Sequence, residues 1–158
     1  MVTKVQQRNR HCPEEGITGD CHRACYASIL EMKLDDVPHF YDQGRSSEEA
    51  KPIFKEFWSS YRLIEIQMSY ENCDLKAVLE VQEHYNPGVP YILTGESGNG
   101  VNHSVVVWNG EIWHDPSIDQ SGIIGPSKPD DLWWITYIVG EIPHLSSERQ
   151  GAKVGSCS

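Results

Sequence analysis

The chain has 158 residues, of which 39% are hydrophobic and 23% are charged, a balance typical of one soluble globular domain with a real core. Its net charge is −10, and its Lys and Arg residues form no dense cluster, so no nucleic-acid partner is expected. No apolar run approaches the ~18 residues of a membrane span, and the first residues, MVTKVQQRNRHC, contain no apolar signal segment. We therefore expect a cytoplasmic protein without a membrane partner.

Cysteine usage favours free thiols over disulfides. The chain has five cysteines, an odd number, and no visible secretory signal, so a disulfide framework is not expected. The cysteines are Cys12, Cys21, Cys25, Cys73 and Cys157. Each is expected to have a separate role.

A first helix is predicted to begin near Cys21, in the segment GDCHRACYASILEM. Asp20 is of a type that caps helix N-termini, and the alanines and leucine that follow are compatible with a helix. The helix should end before LDDVPHF, where Pro38 stops it. Residues 1–20 contain prolines and glycines that break any regular pattern and are predicted to be irregular.

A second helix is predicted over residues 46–60. Ser46 or Ser47 can cap it, and its aromatic residues recur at helical spacing. Pro52 lies within this segment, and its missing N–H favours a helix that begins late.

A strand and a third helix follow. The segment RLIEIQMSY, residues 62–70, alternates in polarity, which predicts a half-buried strand with Ile64, Ile66 and Met68 on its buried face. The segment DLKAVLEVQEHY, which begins at Asp74, has the apolar spacing of a helix.

The segments that follow, up to residue 139, are predicted to contain four strands. They are predicted in VPYILTG (89–95), HSVVVW (103–108), EIWHD (111–115) and LWWITYIV (132–139). From His144 the apolar pattern ceases, so we expect a single domain over residues 1–143 and a disordered tail over 144–158. Helices followed by an antiparallel sheet predict an α+β fold.

Three residues form a candidate catalytic set. Cys21 should lie in the first turn of its helix, where the helix N-terminus favours a thiolate. His103 opens an apolar strand directly after the Gly-rich loop GESGNGVN, and Asp115 closes the next strand, before Pro116. Each residue alone is more often structural, but together they fit the pattern of nucleophile, base and orienting group.

The same segments resemble a known family. The segment GDCHRACYASILEMKLDDVPHF, together with NHSVVVWNGEIWHDPS, resembles papain-like cysteine peptidases, especially the C39-like branch, and is more similar still to small, poorly characterised papain-like proteins of bacteria and phages. The resemblance covers about residues 5–120. It implies a helix that carries the nucleophile, packed on an antiparallel sheet that carries the base.

The resemblance also implies roles for individual residues. Cys21 matches the nucleophile, His103 the base and Asp115 the orienting group. A glutamine upstream of the cysteine often helps to hold the oxyanion in such families; Gln6 and Gln7 both qualify by type, and we prefer Gln7. The implied activity is a thiol-dependent hydrolase or acyltransferase that acts on an amide, isopeptide or thioester bond of a peptide or small substrate, without a cofactor.

A non-catalytic protein on the same scaffold is the first alternative. A fold is shared more widely than an activity. The resemblance to phage proteins supports the hypothesis that this small protein captures a ligand or a host protein without catalysis. A reactive Cys21 would distinguish an enzyme from such a binding protein.

A structural zinc site is the second alternative. The candidate ligands crowd into fifteen residues: His11, Cys12, Cys21, His22 and Cys25. Their spacing is not that of a standard zinc motif, and zinc would leave His103 and Asp115 without a role. We expect no metal site. Cys25, one turn after Cys21, is expected to be a packed small residue.

The hairpin around Asn109-Gly110 decides whether His103 and Asp115 can meet. A two-residue turn pairs Trp108 with Glu111 and puts Asp115 on the face opposite His103 unless the strand bends. A three-residue loop with a bulge at Gly110 pairs Val107 with Glu111 and puts the two side chains on one face. We predict the three-residue loop, with His103 and Asp115 within hydrogen-bonding distance.

Overall fold

Three α-helices and five strands occupy residues 3–140, the part of the chain that the computed structural model describes. The helices are α1 Cys21–Leu30, α2 Ser47–Tyr61 and α3 Leu75–Tyr85. The strands are β1 Leu63–Tyr70, β2 Tyr91–Glu96, β3 Asn102–Trp108, β4 Glu111–His114 and β5 Trp133–Gly140. The predicted α+β class is confirmed. The predicted tail, 144–158, lies outside the described residues.

The strands form one antiparallel sheet in the order β1-β5-β2-β3-β4. Side chains alternate across this sheet, so each strand contributes to two cores. Val106 of β3 belongs to the core that contains α1 and α2, whereas its neighbours Val105 and Val107 belong to the core that contains α3. The sheet therefore lies between the helices. None of the helices in residues 3–140 is long and apolar enough to cross a bilayer.

Helix α1 begins at Cys21, as predicted, but Asp20 does not cap it. Asp20 occupies the N-cap position and its side chain makes no capping hydrogen bond. Its carboxylate instead accepts backbone N–H groups of the preceding segment, from Arg8 and Asn9. At the other end, Glu31 adopts a left-handed conformation (φ 56°) and ends the helix before Pro38 is reached.

Helix α2 begins early, contrary to the expectation from Pro52. Ser46 and Glu49 form a reciprocal capping box at its start, and Pro52 lies inside the helix. The proline removes one backbone hydrogen bond. The helix tolerates this loss because it buries Phe54 and Phe57 in the core, and each such side chain contributes about 2 kcal/mol.

Strand β1 is also correctly located, but its first half buries the face opposite to the predicted one. Ile64 and Ile66 are 63% and 46% exposed, and only Met68 of the predicted buried set packs against a core. Leu63 packs against the core that contains α2, and Glu65, two residues on, shares that face. Alternation fixes which residues share a face, but coverage by a helix decides which face is buried, and at this sheet edge α2 covers the face of Leu63 and Glu65.

Replacing Glu65 by glutamine is expected to stabilise the protein at pH 8 by about 1–2 kcal/mol. Burial raises the pKa of Glu65 to about 7, and its Oε2 atom is buried without a hydrogen-bond partner. A raised carboxyl pKa favours the folded state at low pH, and this contribution is lost as the pH rises from about 4 through about 7. Urea unfolding of both proteins at pH 5 and pH 8 measures the effect.

Glu71→Gln is the matched control because Glu71 is exposed. We expect it to leave the difference between pH 5 and pH 8 unchanged. Equal stability of Glu65→Gln and the parent protein at pH 8 would contradict the prediction.

Candidate active site

The site is built around the N-terminus of α1, where Cys21 is the first helical residue. Its thiol is free and half-buried. Because the helix has no side-chain cap, its first turn presents backbone N–H groups, and the positive end of the helix dipole, near the thiol. Backbone N–H groups placed in this way can hold a developing oxyanion.

The turn between β3 and β4 has two residues, not the three that we predicted. Trp108 pairs with Glu111, and Asn109 and Gly110 both have positive φ, 54° and 75°. These values are those of a type I′ turn, whose twist matches that of the strands it joins. The predicted pairing of Val107 with Glu111 is therefore wrong.

A bulge one step further along the hairpin nevertheless brings the two side chains together. Val107 pairs with Ile112, but Val106 pairs with His114, so Trp113 is an extra residue in β4. One extra residue reverses the alternation that follows it and returns Asp115 to the face of His103. The predicted contact is confirmed: His103 Nε2 lies 2.7 Å from Asp115 Oδ1.

His103 is held as a strong base between Asp115 and Cys21. The imidazole is only 5% exposed. Burial lowers its pKa, but hydrogen bonds to Asp115 and to Cys21, and the charges of these two groups, outweigh burial and raise the pKa to about 9. Because Nε2 is bonded to Asp115, Nδ1 is the ring nitrogen left for the thiol. At neutral pH the arrangement favours an imidazolium beside the thiol.

Asp115 is fixed by three hydrogen bonds. Its Oδ1 atom also accepts from the backbone N–H of Ser117 at 2.8 Å, and its Oδ2 atom accepts from that of Gly122 at 2.9 Å. Burial alone would raise the pKa of Asp115, but the bonds to His103, Ser117 and Gly122 lower it well below its usual value. Asp115 is therefore an ionised, oriented acceptor for the imidazole.

Of the two candidate oxyanion residues, only Gln7 is buried at the site. Gln6 is exposed. Gln7 is bound through its backbone N–H to Pro116 O at 3.0 Å, and its Nε2 donates to Asn9 O at 3.2 Å. Its Oε1 atom is buried without a partner. An amide nitrogen has two hydrogens, so Nε2 keeps one that is not used by Asn9.

Cys21, His103 and Gln7 line one open cavity of about 200 Å³. The other lining residues are mostly polar: Arg10, His11, Pro13, Gly19, Ser97, Asn99, Val101, Asn102, Ser117, Asp119 and Ser121. No tryptophan lies among them, so the five tryptophans of the chain do not form this cavity. Its wall therefore offers hydrogen-bonding groups beside apolar surface.

The candidate zinc ligands do not form a metal site. Within residues 3–140, no three His, Cys, Asp or Glu side chains lie close enough together to hold a metal ion. His22 instead packs against Tyr26 and contacts Ser104 Oγ at 3.2 Å, and burial lowers its pKa to about 4. Cys25 is fully buried, and burial first, then the nearby Cys21 and Asp115, raise its pKa well above the usual value. Cys25 is the packed residue that the sequence indicates.

Sequence reasoning missed two supports of the site. The first is the turn after Asp115, whose side chain accepts from the N–H two residues on; the Asp-Pro-Ser triplet is a signal for such a turn. The second is Asp20, which was interpreted as a cap. No local signal distinguishes a capping Asp from one that binds a distant segment, since both precede a helix.

The chain was compared with protein-family models, with curated proteins and with solved structures, and none of these comparisons found a match. The resemblance to papain-like peptidases remains a prediction that rests on the residues themselves.

Proposed function

We propose that this chain is a papain-like thiol-dependent hydrolase or acyltransferase that acts on an amide, isopeptide or thioester carbonyl. The carrying observation is a series of neighbouring groups, Asp115, His103 and Cys21, at the start of α1: His103 Nε2 lies 2.7 Å from Asp115 Oδ1, and His103 and Cys21 line the same cavity. This series matches the arrangement of orienting group, base and nucleophile in thiol-dependent acyl transfer.

The geometry supports a two-step reaction. The Cys21 thiolate attacks the carbonyl carbon, and the oxyanion that forms is stabilised by the N–H groups of the first helical turn and by Gln7 Nε2. His103 donates its proton to the leaving group, which departs and leaves an acyl group on Cys21. His103 then accepts a proton from water or another acceptor, which attacks the thioester and regenerates the thiol.

Asp115 contributes orientation and charge. It accepts a hydrogen bond from Nε2 and so keeps Nδ1 directed at the thiol. Its negative charge also stabilises the imidazolium, which donates the proton in the first step. Because two backbone N–H groups hold the carboxylate in place, the imidazole cannot rotate without breaking a charged hydrogen bond.

Exposure of the full chain to p-nitrophenyl acetate at pH 7 is expected to place one acetyl group on Cys21. This ester has an activated leaving group, so acylation does not depend on recognition of the natural substrate. Release of p-nitrophenolate measures the rate, and intact mass with peptide mapping gives the site. We expect Cys21→Ala to remove the fast phase and Cys73→Ala, a matched change of another half-buried free thiol, to preserve it.

Acetylation that is faster at Cys12 or Cys73 than at Cys21 would contradict the proposal. Absence of a fast phase in the parent chain would also contradict it and would favour a protein that binds its ligand without chemistry.

A further inference from the structure

Asp20, directly before Cys21, has a buried carboxylate that binds another segment of the chain and does not cap its own helix. It is 1% exposed and occupies the N-cap position of α1. Serine or asparagine at that position would cap the helix without burying a charge. Asp20 buries its charge and leaves the helix uncapped, so its role lies elsewhere.

The carboxylate joins α1 to the segment that carries Gln7. Asp20 Oδ1 accepts the backbone N–H groups of Arg8 at 2.9 Å and of Asn9 at 2.8 Å. The backbone N–H of Asp20 donates in return to Asn9 O at 3.2 Å. Arg23 lies 3.6 Å from Oδ2 and balances the charge. These three hydrogen bonds hold residues 8 and 9 against the start of the helix.

Gln7 lies between this attachment and a second one. On its other side, its backbone N–H is bound to Pro116 O, next to Asp115. Its side chain bonds to Asn9 O, the carbonyl that also accepts from Asp20 N–H. Thus the carbonyl of Asn9 accepts hydrogen bonds from both the side-chain amide of Gln7 and the backbone N–H of Asp20.

We propose that Asp20 is a positioning residue that holds the Gln7 amide at the oxyanion site beside Cys21. The inference rests on the proposed function, because it assumes that Cys21 attacks a carbonyl. Loss of the Asp20 carboxylate frees the N–H groups of Arg8 and Asn9, so the segment moves and the amide of Gln7 moves with it. The nucleophile and its base, which reside on α1 and β3, remain in place.

Two electrophiles separate these effects. With p-nitrophenyl acetate, the S–C bond forms through a tetrahedral oxyanion and p-nitrophenolate leaves with the electron pair of the broken C–O bond. With iodoacetamide, the S–C bond forms by direct displacement of iodide, and no oxyanion develops. A residue that serves the oxyanion affects the first rate and spares the second.

We expect Asp20→Ala to slow acetylation of Cys21 at least about tenfold, as the loss of one oxyanion donor does, and to change its alkylation by less than about threefold. Gln7→Ala should give the same pattern. The double variant should be no slower than Gln7→Ala, because Asp20 acts through Gln7. Asp20→Asn, which keeps an acceptor oxygen, should recover part of the acetylation rate. Asp36→Ala, a change of an exposed aspartate, should alter neither rate.

Equal slowing of both reactions by Asp20→Ala would overturn the inference, since Asp20 would then support only the helix or its thiol. Additive losses in the double variant would also overturn it. Should Asp20→Ala fail to fold, the comparison of Asp20→Asn with Gln7→Ala and their double variant applies the same criteria. The proposed function fails differently: Cys21 of the parent chain would then react slowly with both electrophiles.

Discussion

Replacement of His103 by alanine is expected to slow the alkylation of Cys21 by iodoacetamide at pH 6 by about 10- to 100-fold. At this pH an ordinary thiol, with a pKa of about 8.5, is less than about 1% thiolate. His103 has a pKa of about 9 in the folded chain, and its hydrogen bond with Cys21 is one of the causes. The imidazolium therefore persists at pH 6 and stabilises the thiolate, so the parent chain should react where an isolated thiol does not.

The measurement is peptide mapping after timed exposure, which gives the rate at each thiol of one sample. Cys12 and Cys73 are half-buried free thiols and serve as internal references, whereas Cys25 is buried and should remain unlabelled. His84→Ala is the matched variant because His84 lies exposed at the C-terminal end of α3. It should leave the rate at Cys21 unchanged.

Two outcomes would contradict this prediction. In one, Cys73 reacts faster than Cys21 in the parent chain at pH 6. In the other, His103→Ala leaves the Cys21 rate as it was, which would mean that the observed contact does not activate the thiol.

Most elements could be located from the sequence because their limits have local causes. Asp74 accepts the N–H of Ala77 at 2.8 Å and begins α3 where the sequence places it. Asn109-Gly110 supplies the positive φ values that a tight hairpin requires. Such signals act within a few residues, so they are visible without the tertiary structure.

The orientation of β1 could not be predicted, because no local signal encodes it. Alternation correctly separates Ile64 and Ile66 from Leu63 and Glu65, but the sequence does not show which face a helix will cover. Leu63 and Glu65 lie on the less apolar face of the strand, and they are buried because α2 lies against this edge of the sheet. Hydrophobic patterning favours the opposite face, and the structure leaves Ile64 63% exposed.

The contact between His103 and Asp115 was predicted correctly, but from the wrong hairpin geometry. The triad was assigned because three weak signals lie in a consistent order, and the contact between His103 and Asp115 is present. The bulge at Trp113 was not foreseen, since it depends on tertiary packing. The ring centroids of Trp113 and Trp108 are 5.7 Å apart, and His114 Nε2 lies 2.8 Å from Val5 O. A turn sequence determines the first pair of a hairpin, whereas tertiary contacts decide where its register shifts.

Replacement of Asp115 by asparagine is expected to destabilise the fold in a pH-dependent manner, by about 2 kcal/mol near pH 6. The pKa of Asp115 is lowered, so its contribution to stability is present above its unfolded value of about 4 and is lost as the pH falls. The pKa of His103 is raised to about 9, so its contribution is fully present below about pH 6.5 and is lost as the pH rises through about 9. The ionic part of the pair therefore stabilises the chain most between about pH 4 and pH 6.5.

Urea unfolding of the parent chain and of Asp115→Asn, at intervals from pH 4 to pH 10, measures the difference in the free energy of unfolding. That difference should be largest near pH 5–6 and should shrink towards pH 10, where His103 is neutral and the attraction between the two charges is gone, although the hydrogen bonds of Asp115 remain. Asp119→Asn is the matched control, because Asp119 belongs to the same loop but is exposed and bonded to Arg10 and Asn99. It should cost less than about 1 kcal/mol. If the loss of unfolding free energy in Asp115→Asn is the same across the pH range, the prediction is wrong. The carboxylate would then hold the loop without an electrostatic interaction with a charged His103, and Asp115 would act on the imidazole by orientation alone.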